Sequence, residues 1–154
     1  MKEGPIQKIL LPVELPRRDM ALIDYAIALA LQLDAEICFF AVIDSPTTLY
    51  LIKSKPAEHK RGEGFHQKVV DDAKVLIRRI VDRATERGVR AMGHAVVSER
   101  TDKEILREAE ERGSDVILFG DQEHGLLYKM FFGDTADAVL DRAPCPVLVV
   151  KSER

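Results

Sequence analysis

The sequence has 154 residues, of which 46% are hydrophobic and 32% are charged, and its net charge is −3. A chain of this length forms a single domain, here taken as residues 1–154, that buries about two-thirds of its unfolded surface without disulfides or structural metals. The low net charge gives no global field for nucleic acid, and no apolar stretch approaches the ~20 residues that span a bilayer. We therefore expect a cytoplasmic protein with no nucleic acid partner and no membrane contact by this domain.

Two apolar runs near the start of the chain predict strands with a helix between them. Ile6–Val13 and Ala35–Ile43 are short apolar runs, which are typical of strands covered on both faces of a parallel sheet. Between them, apolar residues recur at helical spacing over Arg17–Leu33. Asp19 is expected in the first turn of this helix, where the dipole favours an acid.

The middle of the chain changes composition and then returns to a helical pattern. Asp44–Gly64 contains prolines, lysines and glycines, and we expect a flexible loop there. After Gly64, apolar residues mark one face of a long helix that ends at Gly88 as its C′ residue. The opposite face, which includes Arg83, is expected to be solvated and held by i,i+4 pairs.

The last third of the chain predicts a strand at Val89–Val97, a helix and two more strands. Ser98 or Thr101 is expected to cap the helix, and Thr101 with Glu104 matches a capping box. Gly113 ends that helix. The remaining predicted elements are a strand at Val116–Phe119, a loop to Gly133, a helix at Asp134–Arg142 and a strand at Val147–Lys151.

Five strands that alternate with four helices predict an α/β fold: a single doubly wound domain with a parallel sheet and helices on both faces. Ligands of such sheets bind beyond the carboxyl ends of the strands. Glu14, Asp44, Ser98 and the loop over residues 120–134 follow those ends, so they are expected to surround one crevice. The two cysteines, Cys38 and Cys145, have no metal-ligand or redox spacing and are expected to be reduced and buried. Neither His94 nor the other histidines have metal-ligand spacing, so no metal site is predicted.

Several segments together resemble the universal stress protein family over nearly the whole chain. They are residues 9–14 (ILLPVE), 41–44 (AVID), 116–120 (VILFG), Gly133 at the start of a helix, and 143–150 (APCPVLVV). The resemblance implies the strand order 3-2-1-4-5 and a homodimer formed through the last strand, at Val147, Leu148, Val149 and Val150. It also implies one subclass that binds ATP and one that does not.

The family's ATP-binding motif is Gly-x-x-Gly, nine residues, then Gly-Ser or Gly-Thr, and it falls here on Gly120, Glu123, Gly133 and Asp134. Two of its positions are therefore acidic. The family's adenine-side acid, usually an aspartate, is Glu14 in this chain, and Pro12 and Val42 match positions that line the family's adenosine pocket. The candidate nucleotide-binding residues are Pro12, Val13, Glu14, Val42, Gly120, Glu123, Gly125, Gly133, Asp134 and Thr135.

The acids of this loop oppose the binding of a triphosphate. At about 4 Å and an effective dielectric constant near 20, a carboxylate facing a phosphate charge opposes binding by up to about 4 kcal/mol before screening. Glu123, Asp134 and the neighbouring Asp121 therefore favour a regulatory module whose nucleotide crevice has an altered phosphate loop. The alternative is an ATP- or AMP-binding universal stress protein, in which Mg²⁺ assists the triphosphate.

Two further interpretations belong to other functional classes. One is a weak metal-dependent phosphohydrolase that uses Glu14, Asp44, Asp121 and Asp134 as Mg²⁺ ligands. No nucleophile or general base is apparent, so no catalytic residue is assigned and an enzyme is disfavoured. The other is a phosphorelay receiver, which requires a pair of carboxylates at the end of the first strand, where this chain has only Glu14.

Overall fold

A computed structural model of the chain describes residues 4–15, 19–43, 62–120 and 139–151, with the backbone alone for residues 62–66. Eight regular elements lie in these ranges: β1 (Lys8–Val13), α1 (Met20–Leu33), β2 (Glu36–Ile43), α2 (Gly62–Glu86), β3 (Ala91–Val97), α3 (Thr101–Arg112), β4 (Val116–Gly120) and β5 (Val147–Val150). A short helical segment at residues 139–142 precedes β5. The strand ends differ from the predicted ones by one or two residues.

The five strands form one parallel sheet in the order β3-β2-β1-β4-β5. This confirms the predicted α/β class and the strand order that the resemblance implied. Helices α1 and α2 cover one face of the sheet, and α3 covers the other together with Val139 of the short helical segment. Among the described residues, no helix combines the length and apolar character that a membrane span requires.

Strand β2 shows how completely the sheet is covered. Its side chains alternate between the two faces, so that Phe39 packs on the side of α1 and α2 while Phe40 packs on the side of α3. Phe39 is 0% exposed and Phe40 is 1% exposed. A continuous apolar run was therefore the correct signal for a strand buried on both faces.

Helix α1 begins at Met20, one residue after Asp19. The predicted position of Asp19 in the first turn of this helix is therefore wrong. Asp19 is the N-cap residue, with extended backbone, and its side chain accepts a hydrogen bond from the N–H of Leu22. This arrangement satisfies one of the N–H groups that has no partner within the helix.

Two predictions about helix α2 are wrong. It begins at Gly62, so the last residues of the predicted loop Asp44–Gly64 are helical, and the rest of that loop lies outside the described residues. Its charged face is also not purely solvated, because Arg83 forms two hydrogen bonds of 2.7 and 2.9 Å with Asp24 of α1. These bonds from Arg83 hold the pKa of the Asp24 carboxyl below its ordinary value, and they join the two helices of one face. The predicted end of α2 at Gly88 is confirmed by a backbone φ of +85°.

The predicted cap of α3 is wrong. The helix begins at Thr101 with Arg100 as its N-cap residue, and Arg100 makes no side-chain cap hydrogen bond. Ser98 instead accepts a hydrogen bond from the N–H of Arg100. Asp102, in the first turn of α3, is 5% exposed, and its carboxylate lies 3.4 Å from the Arg100 guanidinium. Burial favours the protonated form of Asp102, but hydrogen bonds from Arg100 and backbone N–H groups hold its pKa below the ordinary value.

Candidate functional site

The sheet has one topological switch point, between β1 and β4. The chain leaves β1 through α1 on one face, whereas it enters β4 from α3 on the opposite face. Crossovers that leave neighbouring strands on opposite faces do not fill the space beyond the carboxyl ends of those strands. This is the place where open α/β sheets bind their ligands.

The ladder between β1 and β4 stops before the strands do. It ends at the pair Leu10–Ile117, whereas the pairing of β1 with β2 continues to Val13–Ala41. Strand β4 nevertheless extends to Gly120. The carboxyl ends of β1 and β4 thus run past their shared ladder, and the last residues of the two strands are not paired with each other.

The first turn of α1 lies against the carboxyl end of β4. A side chain at Gly120 would place its Cβ 3.1 Å from Cδ2 of Leu22 and 3.6 Å from Oδ2 of Asp19. The N-terminal end of a helix attracts anions through its first N–H groups and its dipole, but here the Asp19 carboxylate already accepts from the N–H of Leu22 and adds a negative charge. Sequence reasoning missed the place of Asp19 here, although an acid directly before an apolar helical pattern is a known N-cap signal.

Half of the predicted nucleotide-binding residues meet at this edge of the sheet. Pro12 and Val13 are buried at the end of β1, Glu14 follows them and is half-buried, and Val42 is half-buried near the end of β2. Gly120 ends β4. The other candidates lie outside the described residues: Glu123, Gly125, Gly133, Asp134 and Thr135. The binding role of all ten stays a prediction.

A second polar cluster lies on the α3 face of the sheet. His94 Nε2 of β3 is 2.7 Å from Oε1 of Glu108 on α3, and the Cys38 thiol of β2 is 3.8 Å from the same oxygen. The Arg112 guanidinium, one helical turn after Glu108, also donates to that oxygen. The Glu108 side chain is 8% exposed, so its charge is largely withdrawn from water. Sequence analysis did not find this cluster, because its members are far apart in the chain.

In this cluster the pKa of the thiol is raised and the pKa of the acid is lowered. Burial raises the pKa of the Cys38 thiol to about 12. Burial also favours the protonated form of Glu108, but hydrogen bonds from His94 and Arg112 hold its pKa below the ordinary value. Without a ligand, the cluster therefore holds a carboxylate paired with basic groups beside a neutral thiol.

The comparisons with known proteins decide the family. The model of the universal stress protein family matches residues 5–151. The chain belongs to this family. A curated relative is the universal stress protein MJ0531 of Methanocaldococcus jannaschii, with 28% identity over 153 residues that cover 99% of this chain and 86% of the relative.

Solved structures agree on the fold of this universal stress protein. The hypothetical protein MJ0577 superposes with a TM-score of 0.71 at 23% identity, and the match covers 98% of this chain and 99% of that protein. The universal stress protein of Archaeoglobus fulgidus, solved in complex with dAMP, superposes with a TM-score of 0.60 at 19% identity. That match covers 94% of this chain and 98% of the other.

The phosphohydrolase interpretation receives no geometry from the described part of this universal stress protein. Of its four proposed Mg²⁺ ligands, Glu14 is the one that the described residues include, whereas Asp44, Asp121 and Asp134 lie outside them. The phosphorelay interpretation needs a pair of carboxylates at the end of β1, and this strand end carries the single acid Glu14.

Proposed function

We propose that this universal stress protein is a homodimeric, cytoplasmic regulatory module that binds an adenine nucleotide with a single phosphate in preference to ATP. The observation that carries this proposal is that the carboxyl ends of β1 and β4 run past their shared ladder at the switch point of the sheet. The fold neighbour from Archaeoglobus fulgidus holds dAMP, a nucleotide of this class. The function is then association or signalling in response to a bound nucleotide, rather than catalysis.

The adenosine part of the nucleotide is assigned to the end of β1 and its neighbour β2. Pro12 and Val42 offer apolar surface for a base, and alternation places both on the α3 side of the sheet. Glu14 lies one residue past the end of β1, where its carboxylate can accept a hydrogen bond from a base or a ribose hydroxyl. Its longer side chain, compared with the aspartate usual in the family, shifts this acceptor by one methylene group.

The phosphate part is assigned to the segment that follows Gly120. Here the sequence supplies Glu123 and Asp134 where the family's ATP-binding members have glycine and a hydroxyl residue. Each added phosphate brings more negative charge towards these carboxylates, so repulsion grows from AMP to ATP. A monophosphate can still use the N–H groups of a helix terminus, because it carries the smallest charge.

Calorimetric titration tests the proposal directly. In the absence of Mg²⁺ we expect AMP to bind more tightly than ADP, and ADP more tightly than ATP. Addition of Mg²⁺ should narrow the difference, because the ion neutralises phosphate charge. Tighter binding of ATP than of AMP without Mg²⁺ would contradict the preference, and the absence of binding by all three nucleotides would contradict the site itself.

A double variant and its matched control test the assignment of the phosphate to this loop. Replacing Glu123 and Asp134 by Gln and Asn should improve ATP affinity at least about tenfold, which is about 1.4 kcal/mol, with a smaller change for AMP. The matched control removes the same charge from exposed positions on α2 and α3, by Glu86→Gln and Glu110→Gln. If the control improves ATP affinity equally, the effect is one of net charge and the loop assignment fails.

The homodimer is assigned to β5, one of the two edge strands of the described sheet. Leu148 and Val149 are each 39% exposed, and an apolar edge strand is a template for pairing with another chain. We expect sedimentation to give a dimer for the native chain and a monomer for the double variant Leu148→Lys, Val149→Lys. Leu31→Lys on α1, where the side chain is 55% exposed, should remain a dimer. A dimer that survives both β5 substitutions would rule out this interface.

A further inference from the structure

The cluster on the α3 face combines three side chains whose chemistry and spacing suit a metal ion. The Sγ of Cys38, the Nε2 of His94 and a carboxylate oxygen of Glu108 all lie within 4.8 Å of one another. They come from three different elements: Cys38 from β2, His94 from β3 and Glu108 from α3. We propose that these three side chains bind a divalent ion of the zinc type, with a water molecule as the fourth ligand.

The distances within the cluster are close to those of a tetrahedral site. For zinc bonds of about 2.0–2.3 Å, neighbouring ligand atoms lie about 3.3–3.6 Å apart. The thiol and the Glu108 oxygen are 3.8 Å apart, and the His94 nitrogen and that oxygen are 2.7 Å apart. Small rotations of the side chains therefore suffice: the imidazole moves slightly away from the carboxylate and the thiol slightly towards it.

The backbone holds two of the ligands side by side. Strands β2 and β3 are paired from Ile37–Ala91 to Ile43–Val97, which aligns Phe40 with His94. The Phe40 ring packs against the imidazole, with ring centroids 4.9 Å apart. Cys38 precedes Phe40 by two residues and therefore points to the same face of the sheet. The site is thus built on a rigid sheet, and α3 supplies its third ligand.

The kinds of ligand select the ion. When the ion binds, the Cys38 thiol loses its proton to solvent and coordinates as a thiolate. Thiolate and imidazole ligands favour Zn²⁺ and similar transition metals, whereas Mg²⁺ and Ca²⁺ prefer sets made of oxygen atoms. Three protein ligands with an open fourth position are typical of zinc sites that are accessible to small molecules. Access is available here: the His94 side chain is 38% exposed, and a cavity of about 250 Å³ adjoins Cys38, Met92 and Arg112.

Arg112 competes with the ion for Glu108. Its guanidinium donates to the same carboxylate oxygen and also lies 2.8 Å from the sulfur of Met92. A metal ion must displace this guanidinium, and the positive charge that stays nearby weakens binding. The Arg112 side chain is 31% exposed, so it can turn towards solvent when the ion binds. Removal of Arg112 should therefore strengthen metal binding. An ion-pair network without a metal site predicts no such effect.

The test uses Co²⁺ as a spectroscopic probe on the untagged, full-length chain after treatment with a chelator. We expect one Co²⁺ per chain, with a thiolate-to-cobalt charge-transfer band that Zn²⁺ abolishes by displacement. Cys38→Ser should remove this band, whereas Cys145→Ser, which changes the other cysteine of the chain, should retain it. Retention of the band in Cys38→Ser, or its absence from the native chain, would overturn the proposal.

Affinity measurements on further variants keep the proposal falsifiable if Cys38→Ser fails to fold. Loss of an outer-shell partner alone typically costs about 10–100-fold in affinity, so loss of the ligand in His94→Gln should weaken Zn²⁺ binding at least about 100-fold. The matched control replaces the other three histidines of the chain, His59, His66 and His124, by Gln together, and it should retain native affinity. Arg112→Gln should bind Zn²⁺ at least about threefold more tightly, in the direction set by the lost repulsion. Weaker binding in Arg112→Gln, or equal loss in the histidine control, would leave the cluster as an ion-pair network only.

Discussion

Replacing Gly93 with alanine is expected to destabilise the protein by about 2–3 kcal/mol, because the strand has no room for a side chain at this position. A Cβ there would lie 2.6 Å from Cγ2 of Ile77 and 2.9 Å from the backbone oxygen of Phe39. Ile77 is 3% exposed on α2, and the Phe39 carbonyl belongs to the neighbouring strand. Neither atom is the end of a flexible side chain, so α2 or the sheet itself must shift.

The sign of this effect is informative, because alanine in a strand interior is otherwise favoured over glycine by about 0.5–1 kcal/mol. Urea unfolding monitored by circular dichroism gives the change in the free energy of unfolding. Gly120→Ala is the matched control: it is also a glycine of a strand, but its nearest neighbour is the side-chain end of Leu22 at 3.1 Å. We expect a loss of less than about 1 kcal/mol there, since such an end can rotate away. Equal stability of Gly93→Ala and the native chain would mean that α2 does not pack on β3 as described.

The architecture could be predicted from the sequence because its signals are local. A run such as residues 37–43 is apolar at every position, and a short run of that kind is typical of a strand buried on both faces. Gly88 and Gly113 end their helices with φ values of +85° and +64°, a conformation that glycine adopts without strain. The order of the strands was not a local signal, and it came from the resemblance to the family.

The N-cap of α3 was predicted wrongly because the sequence offers more than one candidate for it. Thr101 and Glu104 match the capping-box pattern, yet α3 begins one residue earlier than that box requires. The register of α3 is set by the burial of Ile105 and Ala109 against the sheet and by the pairing of Asp102 with Arg100. Tertiary packing thus decides which residue becomes the cap, and a short pattern does not contain that information.

Contacts between distant residues mark the limit of sequence reasoning at the site. The cluster of Cys38, His94 and Glu108 has no motif, because its members are separated by the lengths of β2, α2, β3 and α3. The carboxyl-edge residues Pro12, Val42 and Gly120 were found because a general rule of parallel sheets and a family motif both point to them. Residues that a strand register brings together can be recognised only once that register is known.

Truncation of Phe39 and of Phe40 to alanine is expected to destabilise the protein by about 3–5 kcal/mol in each case, because each removes a large side chain from a filled core. The two residues are adjacent in β2, but Phe39 contacts the core under α1 and α2, and Phe40 contacts the core under α3. A sheet with one solvated face would lose this much stability at one of the two positions only. Equal losses at neighbouring positions are therefore the energetic signature of a sheet covered on both faces.

The control for this pair is Leu31→Ala on α1, where the side chain is 55% exposed and the expected change is within about 0.5 kcal/mol. Thermal and urea unfolding of the three variants give the comparison, and the urea m-value shows whether the unfolded state has changed. A small loss for Phe40→Ala beside a large loss for Phe39→Ala would mean that α3 covers its face loosely. Phe40 also packs against His94. That result would therefore mean that the proposed metal site lacks a rigid support. A large loss at both positions instead leaves α3 fixed to the sheet, with Glu108 held beside Cys38 and His94.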